Sequence, residues 1–284
     1  MMGDYMKIGR MIGEGGTSEV YEWENNKVIK LAKPNTNKTA LQREYGSNLA
    51  VWKLGLAVPQ PFEMVECDHR PGIVFERIYG PTLTERLFEN MMQQINEDQP
   101  TMDWGDIRYT ARLLSEIHQL SHEDLPSQRD SLKWQIQSVD YLNEHEKKQV
   151  IGILDSLPIK HQICHGDPNP NNILMRDGKL VLIDWNDATI GNPEADIAEF
   201  IVMITYTILP LETPLEVVNF FDSIRETIIK VFMEEYTLLT GTTYDEVDFW
   251  IAPIAARKLS ADAISEEEKQ LLIKEIRSRL EMKK

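Results

Sequence analysis

The chain reads as an α+β protein in two parts, a small antiparallel sheet with one helix over residues 1–80 and a mainly helical remainder over residues 81–284. Three observations lead there. Short apolar alternations punctuated by Gly, Asn and Pro fill the first part, and amphipathic patterns of helical period dominate the second. One strand, Asp-Gly turn, strand pattern interrupts the helices near residues 171–183. A chain of 284 residues is long enough for two domains with real cores.

Residues 7–12, 20–23 and 27–31 carry the period-two spacing of strands. GEGGTSE at 13–19 joins the first two. Its glycines let the main chain approach an anionic group without a side-chain clash, so Gly15, Gly16, Thr17 and Ser18 are candidates to hold a phosphate, with the Thr17 or Ser18 hydroxyl as donor. A plain glycine turn between strands is the alternative. Lys30 lies in VIKL among apolar residues, where an ammonium needs a counter-ion. Residues 39–54 place Leu41, Tyr45, Leu49 and Trp52 at near-helical spacing, and Glu44 on that helix is the candidate partner of Lys30. A solvated lysine and glutamate would be the ordinary alternative. VPQP at 58–61 leads into a further strand, residues 72–76 form a buried-strand pattern, and RIYGP at 77–81 closes the small part.

Helical signals follow over 82–94 and from Asp103, whose side chain is expected to cap a helix carrying Trp104, Ile107, Ala111, Leu114 and Ile117 on one face. His118 ends that helix and reads as a packing residue. Residues 128–157 form another helical region, and 159–164 deliver the chain to the interrupting hairpin. After Ala198 apolar helical faces recur over 200–209, 217–232 and 249–259. Acidic residues cluster at Glu234 and Glu235 and at Asp245, Glu246 and Asp248; they suit either an amine-bearing ligand or solvated helix faces.

Of thirty Lys and Arg and forty-six Asp and Glu, residues 1–80 hold ten of each, so the whole net charge of −16 falls in residues 81–284. Such acidity disfavours nucleic acid as a partner. It is compatible with a cationic ligand drawn by the field or with a surface that merely keeps the chain dispersed, and charge does not choose between them. No segment has the length and apolarity of a membrane span, and Cys67 and Cys164 form no metal-ligand spacing, so a reduced cytoplasmic protein without membrane partners is expected. Oligomeric state leaves no mark in the sequence.

The densest chemistry lies in HGDPNPNN at 165–172 and VLIDWND at 181–187. Asp167 precedes Asn172 by five residues, and Asp184 follows beyond the hairpin. Phosphoryl transfer uses this set: an Asp that accepts the proton of the attacking hydroxyl, and an Asn and a second Asp that hold the metal bridging the nucleotide phosphates. Turn-forming Asp and Asn would explain either motif alone, but the two stand in order around a hairpin. Together with Lys30 and GNPEADIA at 191–198, they resemble the aminoglycoside phosphotransferase and choline kinase group of kinase-like enzymes, whose motifs run H-G-D-x-x-x-x-N, I-D-[WF] and G-D-P-x-x-D-L-A. The first Asp of the last motif is Asn192 here.

That resemblance implies a two-lobed protein-kinase-like fold, with a nucleotide-binding lobe through residue 80 and a helical lobe with the catalytic loop and acceptor site beyond it. It implies ATP or GTP as donor and Mg2+ held by Asn172 and Asp184, with Asp167 as base. By the same resemblance Lys30, paired with Glu44, and the glycine-rich loop contact the phosphates, while the Glu76 carbonyl and Ile78 N–H meet the base of the nucleotide, backed by Phe75. His165 and Asp196 are then architectural, the latter bracing the catalytic loop. The acceptor is expected to be a small hydroxylated molecule, an aminoglycoside or another amino-alcohol first, since only residues 185–195 separate Asp184 from Asp196 and no A-P-E motif or segment for docking a peptide is present. A housekeeping kinase for choline, homoserine or a sugar is the alternative, and a catalytically silent nucleotide-binding module a third.

Overall fold

The computed structural model describes residues 8–95, 97, 101–261 and 264–282. Strands β1 (Met11–Glu14), β2 (Ser18–Trp23) and β3 (Lys27–Ala32), helix α1 (Lys38–Lys53), and strands β4 (Pro61–Cys67) and β5 (Arg70–Glu76) come first. The strands form one antiparallel sheet in the order β1-β2-β3-β5-β4. Asp68 and His69, at φ 49° and 63°, make the two-residue left-handed turn that matches the twist of β4 and β5. The expected strand over 7–12 is observed from Met11 onward, and residue 7 lies outside the described residues.

Period-two alternation along β3 decides what faces α1. Val28 and Ala32 pack with Leu41, Tyr45, Ile73 and Phe75, whereas Ile29 and Leu31 pack on the other face with Val74 and Phe62. Lys30 shares the parity of Val28 and Ala32, and its ammonium reaches Glu44 of α1. Asn37 caps α1 by accepting from the Ala40 N–H. The buried stripe of this helix differs from the expected one: it runs through Leu41, Glu44, Ser47, Asn48 and Val51, and Trp52 is exposed. Glu44 and Asn48 enter the interior because each has a hydrogen-bond partner there, which hydropathy alone does not register.

The chain continues through α2 (Leu83–Gln94), α3 (Gly105–Ile117), α4 (Gln128–Ser138), α5 (Glu144–Ser156) and β6 (Gln162–Cys164). After β7 (Ile173–Arg176), β8 (Lys179–Leu182) and β9 (Thr189–Gly191) come α6 (Pro193–Tyr206), α7 (Leu215–Thr240), α8 (Tyr244–Asp248), α9 (Ile251–Lys258) and α10 (Glu266–Met282). Two compact units result. The first holds the chain through Gly80 together with Leu174–Asp187, and the second holds Pro81–Ile173 and the chain from Ala188 onward.

In the first unit Asp177 and Gly178, at φ 50° and 77°, turn β7 into β8 as the Asp-Gly signal predicts. In the second, α6 is buried from Pro193 to Ile204, a helix apolar nearly all round that three carboxylates nonetheless interrupt: Glu194, Asp196 and Glu199. Thr82 and Asn143 open α2 and α5 with capping boxes closed by Glu85 and Glu146. That second box explains why the expected helical region over 128–157 is two helices rather than one. Asp103 departs from its expected role: Trp104 occupies the cap position of α3, and the Asp103 carboxylate accepts from the Gly105 N–H. Among the described residues no helix is long and apolar enough to cross a membrane.

Candidate active site

In the first unit the Lys30 ammonium donates to Glu44 Oε1 at 2.6 Å and to Asp184 Oδ1 at 2.8 Å. Burial by itself would pull the ammonium down, but the carboxylates of Asp184 and Glu44 outweigh it and hold Lys30 above the ordinary lysine range. Lys30 is therefore a fixed cation, oriented from two sides. Asp184 follows β8 with φ 63°, a left-handed conformation that Asp tolerates better than most residues. Its carboxylate is 41 % exposed, while Glu44 is buried against the sheet.

The glycine-rich turn is anchored on the sheet. The Gly15 N–H donates to Ser18 O, and Thr17 O accepts from both the Lys33 N–H and the Thr36 hydroxyl. Gly15, Gly16 and Thr17 are exposed at its tip. Ser18 is not: it opens β2 opposite Ala32 and is 4 % exposed, so of the two hydroxyls expected to face a phosphate only that of Thr17 stands open. At the far end of the sheet Glu76 pairs with Lys27, and its carboxylate accepts from Arg176 of β7 and from the Gln60 N–H. Ile78 lies half-buried between there and Gly80. The Arg176–Glu76 pair was not foreseen, since no spacing rule joins residues a hundred positions apart.

In the second unit β6 pairs with β9 and feeds the loop that begins at His165. Asp196 holds that loop by two backbone N–H groups, His165 N–H to Oδ2 at 2.6 Å and Gly166 N–H to Oδ1 at 2.9 Å. His165 is fully buried, and its Nδ1 accepts from the Asp167 N–H at 3.3 Å. A short 3-10 turn over Pro170–Asn172 then folds the chain back. As a result the Asn172 amide donates through Nδ2 to both the main-chain oxygen and the carboxylate Oδ2 of Asp167, each at 3.1 Å. Five residues of sequence spacing thus become one hydrogen-bonded pair. The arrangement presents Asn172 Oδ1 as the amide's ligand atom.

Burial, helped by Glu199, raises the affinity of Asp167 for a proton, against the pull of Arg257, Lys258 and His165. Those neighbours form a buried cluster of their own, with Glu199 accepting from Lys258 at 2.8 Å and lying 3.2 Å from Arg257. Asp196 behaves in the opposite way. Burial pushes it up, yet the hydrogen bond from His118, the nearby His165 and the Gly166 amide together hold it below the usual carboxylate range. His118, read from sequence as a packing residue, is buried between Asp196 Oδ2 at 3.1 Å and the Tyr236 hydroxyl at 2.7 Å. Charged residues inside the apolar α6 and α9 were the available signal for the Glu199 cluster; nothing in sequence marks Tyr236.

Three residues of the acidic clusters of the C-terminal helices are engaged within the fold. Glu235 pairs with Arg112, Glu246 closes the cap of α8, and Asp248 pairs with Arg279. Asp184 in the first unit and Asn172 in the second each carry hard oxygen atoms of the kind magnesium prefers. Among the described residues, His118, Cys164 and Asp196 also converge within 4.8 Å, but their mixed donors are buried and Asp196 is committed to the loop amides. That group does not fit magnesium.

A family model described as the phosphotransferase enzyme family matches residues 10–219. No curated protein matches the sequence. Solved structures do match the fold. A thermostable mutant of the aminoglycoside phosphotransferase APH(4)-Ia superposes with a TM-score of 0.65 at 12% identity, covering 98% of this chain and 96% of that one. The amicoumacin kinase hAmiN, solved with AMP-PNP, Ca2+ and Ami, gives 0.58 at 15%, covering 97% and 88%. The aminoglycoside phosphotransferase APH(3'')-Id from Streptomyces rimosus gives 0.58 at 14%, covering 90% and 94%.

Proposed function

Because this chain belongs to the phosphotransferase enzyme family, we propose that it moves the γ-phosphate of ATP or GTP to a hydroxyl of a small molecule, an aminoglycoside-type or other amino-alcohol first. The observation that carries the reading is the Lys30 ammonium shared by Glu44 and Asp184, which come from residues 14 and 154 positions away. A cation fixed by two carboxylates, one of them the partly exposed Asp184, supports a role in meeting the charge of a nucleotide phosphate.

In this proposal Lys30 and the exposed tip of the glycine-rich turn bind phosphate oxygens, and the Glu76 carbonyl and Ile78 N–H bind the base. Asp184 and Asn172 would be the ligands of Mg2+, as the family motifs imply, and the ion when bound would neutralise charge on the phosphate oxygens. Asp167 orients the acceptor hydroxyl and takes up its proton, a task suited by its burial. His165 and Asp196 hold the loop that carries it. A cytoplasmic setting belongs to the same reading and is supported by two free thiols, Cys67 and Cys164.

A second acceptor class, choline, homoserine or a sugar, is favoured by one observation: the acidic clusters at 234–235 and 245–248 include Glu235, Glu246 and Asp248, all engaged in internal bonds, which weakens the argument for a polycationic acceptor. Transfer from Mg·ATP and Mg·GTP to a panel of aminoglycosides, choline, homoserine and sugars tests both. Phosphorylated amino-alcohols are expected. Transfer confined to sugars would remove the amine, and nucleotide binding without transfer to any acceptor would leave a silent module.

A further inference from the structure

Tyr236 lies on α7, beyond the residues 10–219 that the family model matches. Its ring is 1 % exposed, stacked on Phe232 at 6.0 Å and set edge-on to His118 at 5.8 Å, so its hydroxyl has one direction in which to point. That direction is His118 Nδ1, at 2.7 Å. On the other side of the imidazole, Nε2 stands 3.1 Å from Asp196 Oδ2. An ionised carboxylate only accepts, so Nε2 carries the hydrogen, and the neutral ring then offers Nδ1 as an acceptor. Burial, with Asp196 and Glu194 nearby, raises Tyr236 well above the ordinary tyrosine range, which keeps its hydroxyl a donor.

We propose that Tyr236 is a positioning residue for the catalytic loop: its hydroxyl, bonded to Nδ1, holds the His118 ring so that Nε2–H meets Asp196, which in turn holds the His165 and Gly166 amides ahead of Asp167. The first two links are single hydrogen bonds between buried groups and the last is a pair of amide bonds, and the chain joins α7, α3 and α6 to the loop. Without the hydroxyl, Nδ1 is buried with no donor and nothing at that end of the ring holds Nε2–H on Asp196. Partners of this kind, one step removed from the reacting groups, typically cost about 10–100-fold when deleted. The assignment of Asp167 as base rests on the proposed function, but the tautomer and the brace do not.

Tyr236→Phe in the full-length protein separates the two. Nitrogen-15 spectra of the wild type should show His118 protonated at Nε2 only, and the variant should show a weakened Nε2–H hydrogen bond, read as an upfield shift of that proton, with faster hydrogen exchange at the His165 and Gly166 amides. Turnover, read as phosphate released from Mg·ATP with the best acceptor of the panel or with water alone, should fall about tenfold or more with the KM for ATP within about twofold. His118→Gln, whose amide offers both a donor to Asp196 and an acceptor to Tyr236, should retain more turnover than His118→Leu. A wild-type His118 protonated at Nδ1 overturns the proposal, as does unchanged exchange at both amides in Tyr236→Phe. A wild type that neither transfers nor hydrolyses removes the kinase reading while the spectra still decide the relay.

Discussion

At the scale of single residues, the two aspartates proposed for chemistry live in different environments. Asp167 is raised by burial and tied to Asn172, whereas Asp184 is partly exposed and bonded to Lys30. Both would act on charge that develops during transfer, so their loss should appear in turnover more than in substrate affinity. Asp167→Ala and Asp184→Asn are each expected to lower kcat by about a thousandfold with the fold retained, the cost of losing a principal transition-state group. Steady-state kinetics beside far-UV circular dichroism checks this, and near-normal kcat in either variant would defeat the assignment. Asn is chosen at 184 because the backbone there has φ 63°, which Ala does not adopt without strain.

Among the elements, the points of least tolerance are where the chain leaves one pattern for another. Gly80 closes the small sheet's last segment at φ 152°, and a Cβ on it would lie 1.8 Å from the main-chain oxygen of Met175. Gly80→Ala therefore has to shift backbone, and its unfolding free energy should fall by more than the ~1 kcal/mol typical of a point substitution, read as a lower urea midpoint. A midpoint equal to the wild type's would mean the segment has slack. Helix starts are more forgiving: Asn143 accepts from the His145 and Glu146 N–H groups, and Asn143→Ala should cost about 1 kcal/mol in chemical unfolding, with kcat unchanged. The interior of α6 shows the reverse economy, since its buried carboxylates are kept only because each finds a cation or a donor: Glu194 bonds Lys160, Asp196 the loop amides and Glu199 Lys258.

Across the whole molecule charge sets how stability responds to solution. Asp196 and Glu199 both sit below the usual carboxylate range in the fold, so the unfolded chain holds their protons more readily. The stability they supply is complete above the unfolded values near ~4 and is lost as pH falls through the lower folded ones. Asp167 and Glu268, raised by burial, act with the opposite sign and are relieved by protonation. Urea unfolding from pH 7 to pH 3 should therefore show a net acid loss that is shallower in Asp196→Asn, and parallel curves would contradict it. The net charge of −16 also repels itself, and screening weakens that repulsion over about 8 Å at physiological salt. The Tm should rise from low salt to ~0.15 M by roughly 2–4 °C for each kcal/mol relieved, and a fall would mean that surface ion pairs outweigh the net charge.

What could be read in the chain beforehand was local. The Asp-Gly turn of β7 and β8, the alternation that points Lys30 at α1, and the five-residue step from Asp167 to Asn172 depend on dihedral preferences and side-chain period, which neighbouring residues determine between themselves. Even there burial was misjudged at Trp52, because Glu44 and Asn48, polar residues with hydrogen-bond partners, take the buried face of α1 instead. The pairings that span the chain were decided only by packing: Lys30 with Asp184, Glu199 with Lys258, and His118 with Tyr236 stand 154, 59 and 118 residues apart. A buried charge or imidazole is stable only where its partner arrives, and which partner arrives is a property of the assembled helices and sheet rather than of any stretch of sequence.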